Sequence, residues 1–265
     1  MPRLAWLTDI HLNFIQAPQC IEFLEGVAAS GCDAVLIGGD IAESDTLASY
    51  LGMIAKHIPR PVYFVLGNHD FYRGGFLKTH AVAREACRTH ENLHWLSDGL
   101  VVPLTETAAL VGHDGWADGR YGDYFNSHVL LNDFFQIKEL KGRNKAELGE
   151  ILAMLGDDAA EYLSDILPKA LATHDHIVVL THVPPFREAS LYEGRPSDAN
   201  YLPHFSCRVI GETLMRIMKG RTDKLLTVLC GHTHNPAQVQ VAPNILVRAG
   251  AAEYGHPQIQ DILNI

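Results

Sequence analysis

Five short apolar runs, spread along most of the chain, each stop in a cluster of carboxylate, amide or imidazole side chains. Leu4-Ala-Trp-Leu-Thr8 ends in Asp9-Ile-His11, and Ala34-Val-Leu-Ile-Gly-Gly39 ends in Asp40. Val62-Tyr-Phe-Val-Leu-Gly67 ends in Asn68-His69-Asp70, and Ile177-Val-Val-Leu-Thr181 in His182. Leu225-Leu-Thr-Val-Leu-Cys-Gly231 ends in His232-Thr-His234. Short continuous apolar runs of this kind read as buried strands. Ligands of open α/β sheets bind beyond the carboxyl ends of strands, so five such ends can converge on one place. Residues two apart on an extended segment point the same way, which makes Asp9 with His11, and His232 with His234, paired pincers. The glycines at 38, 39, 67 and 231 let the backbone turn sharply and approach an ion closely.

Amphipathic stretches alternate with these runs, the pattern of an α/β fold. The sequence predicts strands at Arg3–Thr8, Asp33–Gly38 and Val62–Leu66, with helices at Gln16–Ser30, Asp45–His57 and Phe76–Thr89. Ser44 or Asp45 is the predicted cap of the second helix. Leu93–Leu96, Leu100–Leu104 and Ala108–Gly112 are strand-like and closely spaced. A helix is expected over Ala146–Thr173, with a break near Gly156, then a strand at Ile177–Thr181 and a loop over Pro184–Pro203. A helix at Cys207–Lys219 and a strand at Leu225–Cys230 come next. Ala237–Val241, Ile245–Ala249 and Gln258–Leu263 look like a β-meander. Two stacked mixed sheets flanked by helices fit this order. With no internal boundary, 1–265 reads as a single domain, and the irregular stretch 113–145 as a lid or insertion.

Composition narrows the function. A chain of 265 residues that is 47% hydrophobic carries a sizeable core. No apolar run approaches the ~20 residues that span a bilayer, and the first residues lack a secretory leader pattern, so a cytoplasmic protein is expected. The five cysteines have no C-x-x-C spacing and read as buried thiols rather than disulfides or a zinc site. A net charge of −10, with no basic tract, argues against long nucleic acid or an anionic membrane as partner.

Carboxylate oxygen, amide oxygen and imidazole nitrogen without thiolate suit Mn, Fe, Zn or Co better than Ca, Mg or Cu(I). Seven candidates, Asp9, His11, Asp40, Asn68, His182, His232 and His234, exceed what one metal with room for substrate needs. Two metals sharing one carboxylate use them all, and Asp40, alone on its loop, is the natural bridge.

These blocks closely resemble the calcineurin-like metallophosphoesterases, whose pattern is D-x-H, G-D, G-N-H-[DE], a lone His and G-H-x-H, in that order. Here it stands as Asp9-x-His11, Gly39-Asp40, Gly67-Asn68-His69-Asp70, His182 and Gly231-His232-x-His234. The motifs span residues 9 to 234, most of the chain. The resemblance implies a four-layer α/β/β/α sandwich and two transition-metal ions, with Mn, Fe or Zn favoured. It implies that Asp9, His11, Asp40 and His234 hold one ion and Asp40, Asn68, His182 and His232 the other. It further implies hydrolysis of phosphate mono- or diesters through a metal-bridging hydroxide, with His69 as a catalytic, non-ligand histidine assisting the leaving group. Asp70 matches the motif and either orients His69 or anchors the loop.

The substrate implied is small or medium and phosphorylated, with a cyclic nucleotide or nucleotide-type diester as an alternative. Glu-Ser follow Ile41-Ala42 after Asp40, so the Asp-Arg-Gly of protein Ser/Thr phosphatases is missing. Glu43 stands where purple acid phosphatases carry a ligand tyrosine. The competing function is an inactive family fold serving as a binding scaffold, which typically loses ligands or the catalytic histidine; none is lost here. In the irregular stretch, Trp116, Tyr121 and Tyr124 are candidates to stack on a base or sugar and Arg120 to fork onto a phosphate. His113, His204 and His256 lie in loops that can border the pocket.

Overall fold

The computed structural model describes residues 1–265. Strand and helix alternate at first: β1 (Arg3–Leu7), α1 (Ala17–Ala29), β2 (Ala34–Gly38), α2 (Leu47–His57), β3 (Val62–Val65), α3 (Phe76–Thr89) and β4 (Leu93–Trp95). β5 (Val102–Pro103) and β6 (Ala108–His113) form a hairpin. A long irregular stretch follows, holding only α4 (Asp133–Gln136), and leads into α5 (Lys145–Leu171) and β7 (His176–Thr181). The segment predicted as a plain loop contains a two-stranded ribbon, β8 (Leu191–Tyr192) and β9 (Arg195–Pro196), and a short helix, α6 (Leu202–Phe205). The chain closes with α7 (Arg208–Met218), β10 (Leu225–Cys230), β11 (Ala237–Ala242), β12 (Ile245–Ala249) and β13 (Asp261–Asn264).

Two sheets stack face to face, one ordered β13-β1-β2-β3-β4 and the other β11-β12-β10-β7-β6-β5. Their apolar interface is built from Leu4, Trp6, Leu36, Val65, Val178, Leu180 and Leu229. α1, α2 and α3 cover the outer face of the first sheet through Leu24, Leu51 and Ala83. α5 and α7 cover the second through Leu163, Leu167, Ile210 and Leu214. This is the four-layer α/β/β/α sandwich. β1, β2 and β3 run parallel, as do β7 and β10, so their carboxyl ends gather along one edge of the stack.

Three local expectations are corrected. The end of the chain is not a meander: β12 pairs parallel to β10, and β13 crosses to the other sheet, antiparallel to β1. There Leu263 fills the inter-sheet core. α5 runs unbroken through Gly156. That glycine is a packing contact, because a Cβ there would come within 2.6 Å of the Asp118 Cβ and 3.3 Å of Val209. α5 starts from an Asn144 cap whose side chain accepts from the Ala146 and Glu147 amides while Glu147 accepts from Asn144 N–H, a reciprocal capping box. Neither Ser44 nor Asp45 caps α2; Thr46 holds that position without a side-chain cap, and the Ser44 hydroxyl instead accepts from Thr79 Oγ1 at 2.9 Å. The cysteines are all free, four of them buried.

Candidate metal centre

The seven predicted ligands follow the carboxyl ends of β1, β2, β3, β7 and β10 and come together in one nest. Backbone bonds lock the loops to each other: Asp9 N–H to Gly39 O, His11 N–H to Asp40 O, and Gly231 N–H to His182 O, all between 2.8 and 3.0 Å. Five of the seven, Asp9, His11, Asp40, His232 and His234, have φ between 39° and 67°, in the left-handed region. Non-glycine residues there cost energy and gather at functional sites, where surrounding structure holds them. Two glycines permit the closeness. A Cβ at Gly67 would be driven into Asp40 Oδ1, and one at Gly231 into Asp9 Oδ2 and Thr8 Oγ1.

Asp9, His11, Asp40 and His234 form a first cluster whose donor atoms all lie within 4.8 Å of one another. His11 Nε2 faces His234 Nε2 at 3.2 Å and Asp40 Oδ2 at 3.6 Å. Asp9 is held in place by the Thr8 hydroxyl (2.6 Å) and the His232 amide (3.0 Å). Asp40 spans the two halves of the nest: its Oδ2 is turned to His11, while its Oδ1 lies 3.5 Å from His182 Nε2 and accepts from the His69 amide.

The second cluster gathers around the Asn68 side chain. Its Oδ1 lies 3.1 Å from His182 Nε2 and 3.0 Å from His232 Nδ1. The opposite ring nitrogens are already committed. His182 Nδ1 donates to Gly38 O at 2.8 Å, and His232 Nε2 donates to His204 O at 3.0 Å. In the neutral form of each ring, which carries one N–H, the nitrogens facing Asn68 Oδ1 are bare lone pairs. Burial pushes the His232 imidazole down to about 3, so it stays neutral. Three acceptors therefore converge with no donor among them, an arrangement that a cation satisfies and a proton network does not. Charge points the same way. Burial and the neighbouring Asp9 and Asp70 carboxylates push Asp40 well above the usual carboxylate range, and a bound cation relieves that repulsion. The donor set thus fits metal ions.

Asn68 owes its orientation to a residue outside the sequence motifs. Its Nδ2 donates to Asp133 Oδ1 at 2.8 Å and to Tyr72 Oη at 3.2 Å, and the Tyr72 hydroxyl donates to the same Asp133 oxygen at 2.6 Å. Asp133 is buried at the start of α4, inside the stretch read as a lid or insertion. Nothing local in the sequence marks it; only the fold brings it to Asn68.

His69 stands at the edge of the nest, its Nε2 3.9 Å from Asp40 Oδ2. It stacks on Tyr72 at 4.3 Å and lies 3.4 Å from the Tyr254 hydroxyl. Burial and the neighbouring imidazoles push it down to about 3. Asp70 does not touch it. The Asp70 carboxylate accepts from Ile41 N, Ala42 N and Gly67 N at 2.8–2.9 Å, tying the Asp40 loop to the Asn68 loop.

A cleft of 410 Å³ opens from the nest, reaching Asp40, Asn68, His69, His232 and His234. None of His113, Trp116, Arg120 and Tyr121 lines it. Trp116 is buried against Phe71 and Phe76. The Arg120 guanidinium is already paired with Asp118 (3.4 Å) and Asp157 (2.7 Å). His113 packs on Tyr162 and accepts from Gly115 N–H, and Tyr121 lies toward Glu188 and Arg208. The walls come instead from Leu130 and Leu131, from the β8–β9 ribbon, from Tyr201 just before α6 and Phe205 at its end, and from Tyr254. Of the histidines expected near the rim, His204 reaches the nest only through its carbonyl, and His256 is exposed beside Glu253.

A four-layer sandwich with a carboxylate–imidazole nest at its gathered strand ends defines the class: a metal-dependent phosphoester hydrolase fold. The chain belongs to the calcineurin-like phosphoesterase family, whose model matches residues 2–236. No curated protein matches it. Among solved structures, phosphopantetheinyl hydrolase from Mycobacterium tuberculosis is similar with a TM-score of 0.65 at 15% identity, covering 96% of this chain and 90% of that one. A dimetal phosphatase from Danio rerio gives 0.58 at 10% identity, covering 95% and 88%. GAP50, the anchor in the inner membrane complex of Plasmodium, gives 0.54 at 12% identity, covering 98% and 76%. At such identities the likeness is one of fold. No helix is long and apolar enough to cross a membrane.

Proposed function

We propose that the chain, acting as one domain over 1–265, is a dinuclear metal-dependent phosphoesterase that hydrolyses mono- or diesters of small or medium phosphorylated substrates. The observation that carries this reading is the meeting of bare acceptors from Asn68, His182 and His232 beside a second cluster, with Asp40 shared between them. Asp9, His11, Asp40 and His234 would hold one ion and Asp40, Asn68, His182 and His232 the other, with Mn, Fe or Zn suited to these donors. Two such ions, when bound, would supply an acidified water and offset the charge of the phosphoryl oxygens.

The protein residues do the rest. Asp40 directs one carboxylate oxygen to each cluster and so sets their spacing. Asp133 and Tyr72 hold the Asn68 amide so that its oxygen, not its nitrogen, enters the nest. Asp70 pins two ligand loops through three backbone amides. His69 faces the cleft at the nest's edge and assists the departing oxygen. Burial keeps His69 neutral in the free protein; the negative charge of an arriving phosphate favours its taking up a proton from solvent, and the resulting imidazolium gives that proton to the departing oxygen, leaving a neutral alcohol and a neutral ring.

The test is turnover of p-nitrophenyl phosphate and its bis-ester by protein reconstituted with Mn²⁺ or Zn²⁺, together with metal analysis. Two ions per chain and turnover that chelators abolish are expected. A single ion at saturation, or no hydrolysis of either ester with both sites filled, would overturn the reading.

A further inference from the structure

Away from the nest, the cleft wall is neutral and aromatic. Its apolar part is Leu130, Leu131, Leu191, Tyr192, Tyr201 and Phe205, and no lysine or arginine lines it. The aromatic rings form a track. Phe205 lies 5.0 Å from the His232 ring, Tyr201 lies 6.1 Å from Phe205, and Tyr192 faces Tyr201 with the two rings within 9° of parallel. The track therefore runs from a nest histidine to the mouth, where Tyr192 and Tyr201 are exposed. At the other cluster, Tyr254 packs on His11 and His234 and screens the His69 side. Arg195 sits on the same ribbon as Tyr192 but is not part of the wall.

Two physical consequences follow. A second phosphate or a carboxylate on the substrate's alcohol part would trade water for neutral side chains and find no counter-ion. A flat uncharged ring, by contrast, finds aromatic and aliphatic surface along this wall and brings no charge that needs a partner.

Resting on the phosphoesterase reading above, we propose that this cleft selects esters whose reacting phosphoryl group is the sole anion and whose alcohol part bears an uncharged planar ring. The ring lies along the Phe205–Tyr201–Tyr192 track while the phosphoryl group sits at the nest. This preference excludes polyanionic substrates of the nucleoside di- and triphosphate kind.

The experiment is calorimetric titration of the full chain, loaded with manganese, with non-hydrolysable phosphonates. Phenylphosphonate is expected to bind roughly tenfold more tightly than methylphosphonate, and 4-carboxyphenylphosphonate to lose that gain. Tyr201→Ala should bring the phenyl and methyl compounds within about twofold of each other. Phe205→Leu, which keeps an apolar filler, should give an intermediate ratio, and manganese content reports that each variant is folded. Equal binding of phenyl- and methylphosphonate would overturn the proposal, as would a carboxylated ring that binds as well as the plain one. n-Butylphosphonate binding as tightly as the phenyl compound would remove the planar ring from the claim. These titrations need no turnover: ring selectivity without hydrolysis of p-nitrophenyl esters would sink the hydrolase reading alone, and hydrolysis without selectivity would sink this one.

Discussion

The nest and the cleft wall lie against each other but are built on different terms. The nest's candidate ligands sit one to four residues beyond parallel strands, on loops cross-tied by backbone hydrogen bonds and largely held in left-handed conformations. The wall is assembled from a ribbon, two short helices and a C-terminal loop, several of its rings standing in solvent. Precision is needed where ions are held, and strained, over-determined backbone supplies it. A surface that recognises a substrate's shape needs only complementary area, and that can be contributed by segments far apart in sequence.

The sharpest way to break this contrast is Asp40→Ala. Removing the shared carboxylate should take phosphoesterase activity to background and reduce metal content below two ions per chain; a variant that keeps both ions and activity would show that the nest does not depend on its bridge. His69→Ala touches the boundary between nest and wall. It should lower kcat by about 10²- to 10³-fold with both ions retained, and unchanged kcat would take His69 out of the mechanism. Asp133→Ala tests whether a wall segment is wired into the nest. Releasing the Asn68 amide should weaken metal binding by about 10- to 100-fold, the usual penalty for losing a partner that orients a ligand; a competition titration with a chelator reads this directly. Arg120→Ala is the control outside both regions. Its guanidinium is engaged by Asp118 and Asp157, so kcat/KM should stay within about twofold of the parent. A large loss would return Arg120 to the substrate.

The same division explains what the sequence made legible. Each ligand lies within a few residues of the strand that carries it, so spacing and apolar runs were sufficient to nominate Asp9, His11, Asp40, Asn68, His182, His232 and His234, and the fold brings all seven together. Helix positions followed periodicity, and Phe76–Thr89 agrees residue for residue. What spacing could not reveal depends on contacts between distant segments. Asp133 meets Asn68 across 65 positions and Tyr254 meets His69 across 185. Trp116, Arg120 and Tyr121 carry inviting chemistry, yet core packing consumes Trp116, ion pairing consumes Arg120, and Tyr121 lies outside the cleft lining. Gly156 and β13 mislead for a related reason: whether a glycine interrupts a helix, or which sheet a strand joins, is decided by the neighbour it packs against.

The left-handed backbone beneath five of the ligands also restricts what this protein could become. Aspartate, asparagine and histidine are the non-glycine residues that tolerate that region best, and Asp9, His11, Asp40, His232 and His234 all belong to this set. Exchanges within the trio leave the loops undisturbed. Glutamate, cysteine or tyrosine at these positions would add to the cost of holding that backbone shape. Main-chain shape thus favours oxygen and nitrogen donors at these positions before any side-chain affinity acts, and weighs against drift toward a thiolate set.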